Sequence, residues 1–313
     1  MKKTLIITFV LLSMVSLFAF AYDPPGEAMQ RKAIGPTEHL NGVQKKIFAP
    51  SDSFPAIPRP GPGDWLSTQK EAGQTFGQLV ARRYPKPSRY KGTLYIQPFG
   101  SFDGKAPSLE LLKEYGEIYF NMPVKILQAI DPKHTNFTSR INGRGNVYQL
   151  HTGDIRKYLA QRKPQDAYLV LGVTMTDLYP GPAWNFVFGQ ADYKNQVGIF
   201  SFARYHPGFY GWKAEGDIDT LILERSLKVM CHEMGHLFGI GHCIHFHCLM
   251  NGSNNLEETD RSPHYLCPVC LRKLHHQKPM DLISRYQKLN HFYSTQKIKG
   301  GLEFTTGRLK ELK

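Results

Sequence analysis

The sequence predicts an α+β fold, and three observations support this prediction. Short apolar runs rich in β-favouring residues alternate with helical patterns between residues 93 and 174. Two further strand-like runs, 184–190 and 197–203, are too close together for a helical crossover, so we expect them to pair antiparallel. A pattern with one apolar helical face then covers residues 221–237. We therefore expect a sheet with an antiparallel strand, followed by a long helix.

The other elements follow from their patterns in chain order. The clearest strand pattern is AYLVLGVT at 167–174. Before it, the patterns predict strand 93–99, helix 108–120, strand 124–130 and helix 154–162. After the long helix, residues 243–266 are expected to be irregular, and helices are predicted at 269–274 and 280–289.

The first 21 residues resemble an export signal. Lys2 and Lys3 precede an apolar run from Leu5 to Phe18, and Ala19-Phe20-Ala21 offers small residues for cleavage. The alternative is an uncleaved anchor, but the run is short for about 30 Å of hydrocarbon. We expect a cleaved signal peptide, an exported protein (secreted or periplasmic), and no stable membrane anchor after cleavage.

Composition divides the remaining chain into three predicted parts. Residues 22–91 are rich in proline, glycine and charge, and only residues 75–82 have helical spacing, so we expect an arm outside the core. A catalytic domain is predicted at 92–292 and a basic tail at 293–313. The formal net charge is +13, or +11 without Lys2 and Lys3. No nucleic-acid-binding module is recognised, and no nucleic-acid partner is expected; a nucleic-acid binder that uses the basic tail is a weaker alternative.

A metal site is predicted at residues 232–242, which read HEMGHLFGIGH. His232 and His236 lie four apart on a helix, about 6 Å apart at Cβ, so both imidazoles can reach one ion. Gly239 lets the chain leave the helix and return His242 as a third ligand. Three neutral imidazoles suit zinc and leave a coordination position for water. Glu233 can take the proton of that water, which predicts a zinc-dependent peptidase. The alternative is a catalytically inactive zinc module that binds peptides or a protein partner.

A second metal site is predicted from four cysteines that follow at once. Cys243, Cys248, Cys267 and Cys270 form two pairs, which suit a closed tetrahedral zinc site. Disulfides are the competing interpretation in an oxidising compartment. Cys231 remains, and a buried structural thiol is its expected role. The two sites together predict two zinc ions per chain, one catalytic and one structural.

Several longer stretches resemble the archaemetzincins, a branch of the metzincin zinc peptidases. The similar stretches are HEMGHLFGIGHC, Cys-Leu-Met at 248–250, NGSNNLEETDR and LCPVC at 266–270, together with TDLYP, WNFVFGQA and VGIFSFARY before the long helix. The resemblance covers about residues 60–290. The predicted export signal is a departure from the pattern of this family.

The resemblance implies a twisted mixed sheet with an antiparallel edge strand at 184–190 above the cleft, a long active-site helix, and a smaller C-terminal subdomain after Gly239 with the second zinc site. It implies catalytic zinc on the three histidines, Glu233 as the general base, and Met250 in a Met-turn beneath the zinc. It also implies a structural zinc on the four cysteines.

Overall fold

The computed structural model describes residues 22–102, 104, 106–143 and 145–313, and the predicted export signal lies outside the described residues. The helices are α1 Glu27–Ile34, α2 Gly42–Ile47, α3 Trp65–Thr68, α4 Phe76–Arg82, α5 Leu109–Phe120, α6 Thr152–Gln161, α7 Ile218–Leu237, α8 Leu256–Arg261, α9 Pro268–Gln277, α10 Leu282–Thr295 and α11 Lys299–Glu311. The strands are β1 Thr93–Phe99, β2 Val124–Ile126, β3 Ser139–Asn142, β4 Val147–His151, β5 Ala167–Thr174, β6 Asp177–Tyr179, β7 Gly189–Asp192 and β8 Val197–Ser201.

The main sheet has five strands in the order β2-β1-β5-β8-β7. All neighbours are parallel except β7, which pairs antiparallel with β8 through Gly189–Phe200 to Asp192–Val197. Every residue of β1, β5 and β8 is buried, as expected for strands covered on both faces. The fold is therefore a mixed α/β arrangement, with β7 at one edge of the sheet.

The antiparallel edge strand was predicted at 184–190, but β7 spans only Gly189–Asp192. In the preceding residues, Val187 makes an isolated bridge to Leu178. The carbonyl oxygens of Trp184 and Asn185 accept hydrogen bonds from the Arg140 side chain. The predicted start of the strand at residue 184 was wrong because the Arg140 side chain on β3 hydrogen-bonds to these backbone carbonyls.

A second sheet of three strands, ordered β3-β4-β6, was not predicted from the sequence. Strands β3 and β4 form an antiparallel hairpin, and β6 pairs parallel with β4. Strand β3 is largely exposed, so its residues lack the apolar alternation that marks a half-buried strand. The region 243–266, expected to be irregular, contains the short helix α8.

The N-terminal segment, residues 22–91, belongs to the core, contrary to the expectation of an arm. Six of its buried side chains join the main hydrophobic cluster; they are Ala33, Ile34, Ile47, Phe48, Phe54 and Leu79. Helices α1 and α4 both contact α9. These apolar residues are too sparse in sequence to give a periodic pattern, and their burial depends on partners more than a hundred residues away.

The C-terminal residues also differ from the expected tail. Residues 299–311 form α11, which packs along α10, and Thr305 and Arg308 are almost fully buried. None of the helices in the described part of the chain has the length and apolar character needed to span a lipid bilayer.

Helix α7 carries the predicted metal motif across the sheet. Asp217 caps its N-terminus by accepting a hydrogen bond from the Thr220 N–H at 3.1 Å. The helix packs against β7 and β8. It ends before Gly239, whose φ of +82° is a left-handed conformation that favours glycine.

Candidate metal centre

Three histidines converge at the C-terminal end of α7. The Nε2 atoms of His232 and His236 lie 3.0 Å apart. The ring of His242 returns from the following loop, with its centroid 5.3 Å from that of His232 and 5.0 Å from that of His236. One nitrogen of each ring can be chosen so that all three lie within 4.8 Å of one another. The spacing suits a single ion.

Hydrogen bonds on Nδ1 orient the two helical imidazoles. The Nδ1 atom of His232 is 2.9 Å from the Leu249 carbonyl oxygen, and that of His236 is 2.7 Å from the Ile240 carbonyl oxygen. A carbonyl can only accept, so each Nδ1 carries the proton and each Nε2 keeps its lone pair for a metal. Burial lowers the pKa of His236 to about 3 and that of His232 well below its usual value, so both rings are neutral.

The third imidazole is oriented by a carboxylate. His242 Nδ1 lies 2.6 Å from Glu71 Oε1, in the N-terminal segment. Burial raises the pKa of Glu71, but the hydrogen bond and charge of His242 outweigh it, and the net shift is downward. Three imidazole nitrogens, each on a ring oriented by a hydrogen bond at Nδ1, fit the donor set that zinc prefers.

Glu233 lines the same cavity as the three imidazoles but is not part of the ligand group that they form. Its side chain is buried, and Oε2 has no hydrogen-bond partner among the described residues. Burial raises the pKa of this carboxyl to about 8. A Cβ atom at Gly189 on β7 would lie 2.7 Å from Glu233 Oε1, so a glycine is required for this close approach.

These groups line a cavity of about 320 Å³ next to β7. Its other walls are mostly apolar and aromatic; they include Trp65, Trp184, Phe186, Val187, Phe188 and Leu249. The cavity therefore combines an apolar surface with a few polar groups at one end, as ligand sites commonly do.

Met250 lies beneath the end of α7 and is fully buried. A Cβ atom at Gly235 would lie 2.6 Å from its sulfur, so helix and thioether are in close contact. The Met250 carbonyl accepts a hydrogen bond from the Cys243 N–H at 2.8 Å, which ties this turn to the loop after His242.

The four predicted cysteines form a second, closed cluster. Their sulfur atoms lie within 4.8 Å of one another, and all four side chains are buried. The Cys243 and Cys267 sulfurs are 3.6 Å apart, and every cysteine in the chain is a free thiol in this structure. Hydrogen bonds from the neighbouring thiols, Cys248 first, hold the pKa of Cys243 well below its usual value. The arrangement fits four thiolate ligands around one ion, with no position left for water.

Comparison with known proteins gives the family. The sequence model of Peptidase family M54 matches residues 166–276. The chain is 40% identical over 276 residues to Archaemetzincin-2 of Macaca fascicularis, covering 79% of this chain and 77% of that protein. It is 39% identical over 285 residues to Archaemetzincin-2 of Homo sapiens, with 80% and 79% covered. This chain belongs to the archaemetzincin family.

Two solved structures are similar at lower coverage. A zinc-dependent peptidase from Methanocorpusculum labreanum is 30% identical, and the match covers 58% of this chain and 99% of that one with a TM-score of 0.46. The Archaemetzincin from Methanopyrus kandleri is also 30% identical, with 61% and 97% covered and a TM-score of 0.46. As an archaemetzincin, this chain is a metallopeptidase, and zinc is the metal expected of the family.

Sequence reasoning missed the part of this archaemetzincin site that comes from the N-terminal segment. Glu71 contacts His242, and Trp65 packs edge-on against the same imidazole at 5.0 Å between centroids. Gln74 accepts a hydrogen bond from the Gly241 N–H and donates one to the Gly239 carbonyl, each at 3.0 Å. No spacing in the sequence connects these residues with the histidine motif.

Proposed function

We propose that this archaemetzincin hydrolyses peptide bonds with zinc held by His232, His236 and His242 and with Glu233 as the general base. When bound, zinc would lower the pKa of a water molecule towards about 7 and polarise the scissile carbonyl. The positive charge of bound zinc would oppose the effect of burial and favour the ionised Glu233 carboxylate, which takes the proton of the attacking water and passes it to the leaving amine. The supporting observation is the Glu233 carboxylate beside three oriented imidazoles, since no residue in the described ranges hydrogen-bonds to its Oε2.

The protein positions its peptide substrate through the edge of the sheet. Among the strands that the structure describes, β7 is an end strand paired with β8, and residues 189–191 line the cavity that holds Glu233. An extended peptide adds to such an edge through main-chain hydrogen bonds. The aromatic walls from Trp184, Phe186 and Phe188 then favour an apolar side chain next to the scissile bond.

The remaining parts of the proposal concern the second zinc and the location of the protein. A structural zinc on Cys243, Cys248, Cys267 and Cys270 would hold together the helical region after Gly239, which forms the smaller subdomain. Met250 would lie in the Met-turn beneath the catalytic zinc. Supporting this, the four thiols are buried and none is in a disulfide. We also propose that residues 1–21 direct export and are cleaved off before the enzyme acts.

The test of catalysis is Glu233→Gln. This substitution keeps the size of the side chain and removes its basicity, so we expect peptide hydrolysis to fall by about 10² to 10⁴-fold with zinc still bound. Glu224→Gln on the same helix is the matched control, because Glu224 pairs with His264 at 3.6 Å and touches no predicted zinc ligand. His236→Ala should lose both zinc and activity.

The readouts are zinc content by elemental analysis and cleavage of a broad peptide library. Hydrolysis at the wild-type rate by Glu233→Gln would exclude Glu233 as the base. A wild-type protein that contains zinc and cleaves nothing in the library would instead favour the inactive zinc module.

A further inference from the structure

The loop that carries the third histidine is enclosed by the N-terminal segment. Gln74 bridges the Gly239 carbonyl and the Gly241 N–H, on the two sides of Ile240. The adjacent Gly73 packs so closely that an added Cβ would lie 2.6 Å from the Ile244 side chain. The course of this loop therefore depends on residues 71–74.

More distant residues of the segment hold the continuation of the same loop. The Tyr22 hydroxyl donates to the Ile244 carbonyl at 2.8 Å, and the Gln30 amide donates to the His245 carbonyl at 3.0 Å. The His247 N–H donates to the Pro55 carbonyl at 2.8 Å. Contacts at residues 22, 30, 55 and 74 thus fasten one loop from several sides.

Glu71 is the contact that bears on zinc. The other two histidines use backbone carbonyls of residues 240 and 249, close to the motif in sequence, whereas His242 uses a carboxylate 171 positions away. Both side chains of this pair are about four-fifths buried, with 22% of His242 and 20% of Glu71 exposed. A buried carboxylate fixes the imidazole tautomer and raises the basicity of the ligating nitrogen.

The position of Glu71 also bears on whether the segment is an inhibitory leader. Glu71 is hydrogen-bonded to Nδ1, which leaves Nε2 of His242 free for the metal. The carboxylate supports the ligand from behind and occupies no coordination position. The segment also supplies main-core residues such as Ile47 and Phe48, so removing it would expose the core.

We propose that Glu71 is a positioning residue for the third zinc ligand, and that residues 22–91 are a permanent part of the catalytic unit. This proposal rests on the assignment of His242 as a zinc ligand under the proposed function. The segment then completes the site, and its removal is not an activation step.

The first experiment measures zinc affinity at the histidine site by competition with a chelator. Glu71→Gln keeps an acceptor and loses the charge, and we expect zinc binding about tenfold weaker; Glu71→Ala loses both, and we expect up to about 100-fold. Glu224→Gln is the matched control. Glu224 is another partly buried carboxylate paired with a histidine, His264 at 3.6 Å, and that histidine is not a predicted zinc ligand.

The results separate the two proposals. Failure of the wild type to bind zinc at the histidines would remove the proposed function itself. Wild-type zinc binding with an unchanged affinity in Glu71→Gln, within about twofold, would overturn the role of Glu71 alone. Circular dichroism reports whether Glu71→Ala folds. If it does not fold, the zinc affinity of Glu71→Gln is the result that tests the proposal. The cobalt absorption spectrum is a second readout, because it responds to ligand geometry and is expected to change in the Glu71 variants and not in the control.

The second experiment cuts the full chain within residues 86–91, an exposed connection, at an introduced protease site. We expect the two pieces to co-elute in gel filtration and to hydrolyse peptides at the uncut rate, because the segment stays packed in the core. An increase in hydrolysis after the cut would show an inhibitory leader and overturn the proposal.

Discussion

Gly189→Ala tests how tightly the edge strand holds the catalytic carboxylate. The added Cβ would lie 2.7 Å from Glu233 Oε1 and 2.8 Å from its Cδ and Cγ atoms, whereas ordinary contact begins near 3.4 Å. Either the carboxylate or β7 must therefore move by about 0.7 Å. Glu233 is on a helix packed against the sheet, and its side chain is only 7% exposed, so it has little room to yield.

A displacement near 1 Å of a catalytic group costs on the order of 10²-fold in rate. We therefore expect kcat/KM for a peptide substrate to fall by about that factor, with zinc content unchanged, since no histidine is touched. Gly181→Ala is the control, because an added Cβ there meets nothing within 4 Å. Wild-type kcat/KM in Gly189→Ala, with the control also normal, would refute the view that this contact fixes the base.

Two further predictions concern metal content and stability. Elemental analysis should find two zinc ions per chain, and a chelator should remove the one on the histidines first, because an open site exchanges faster than a closed one; one zinc with four oxidised cysteines would contradict this. Arg204→Ala should lower the free energy of unfolding by about 3–5 kcal/mol in urea denaturation, since it removes the charge partner of Asp177, whose side chain is 1% exposed and lies 2.7 Å from the guanidinium. Arg261→Ala, which removes a half-exposed partner of Asp64, should cost about 1 kcal/mol or less.

The elements that the sequence predicted well are those whose signals are local. Strand β5 has the predicted bounds Ala167–Thr174 because it is buried on both faces and reads as a continuous apolar run. Helix α7 was placed by its apolar face and by the glycine that follows it. Elements with little periodicity, such as the largely exposed β3 and the helix α11, were missed because their sequences show no regular apolar pattern.

The grouping of the three histidines was also accessible from sequence, because it depends on short-range geometry. A spacing of four on a helix brings His232 and His236 together, and Gly239 with its φ of +82° permits the return of His242. The paired spacing of the four cysteines predicted the second site in the same way, and the family resemblance added Met250 to the first. The fold around them brings the same cysteine sulfurs within 4.8 Å of one another.

Only the tertiary structure decided what surrounds the site. The approach of Gly189 to Glu233 depends on how β7 packs against α7, and the Glu71–His242 hydrogen bond joins residues 171 positions apart. Neither pair has a sequence signal, because a glycine in a strand or a glutamate in a proline-rich segment is compatible with many neighbours. Residue spacing along one helix determines which side chains share a face, whereas the packing of separate segments determines which groups support them.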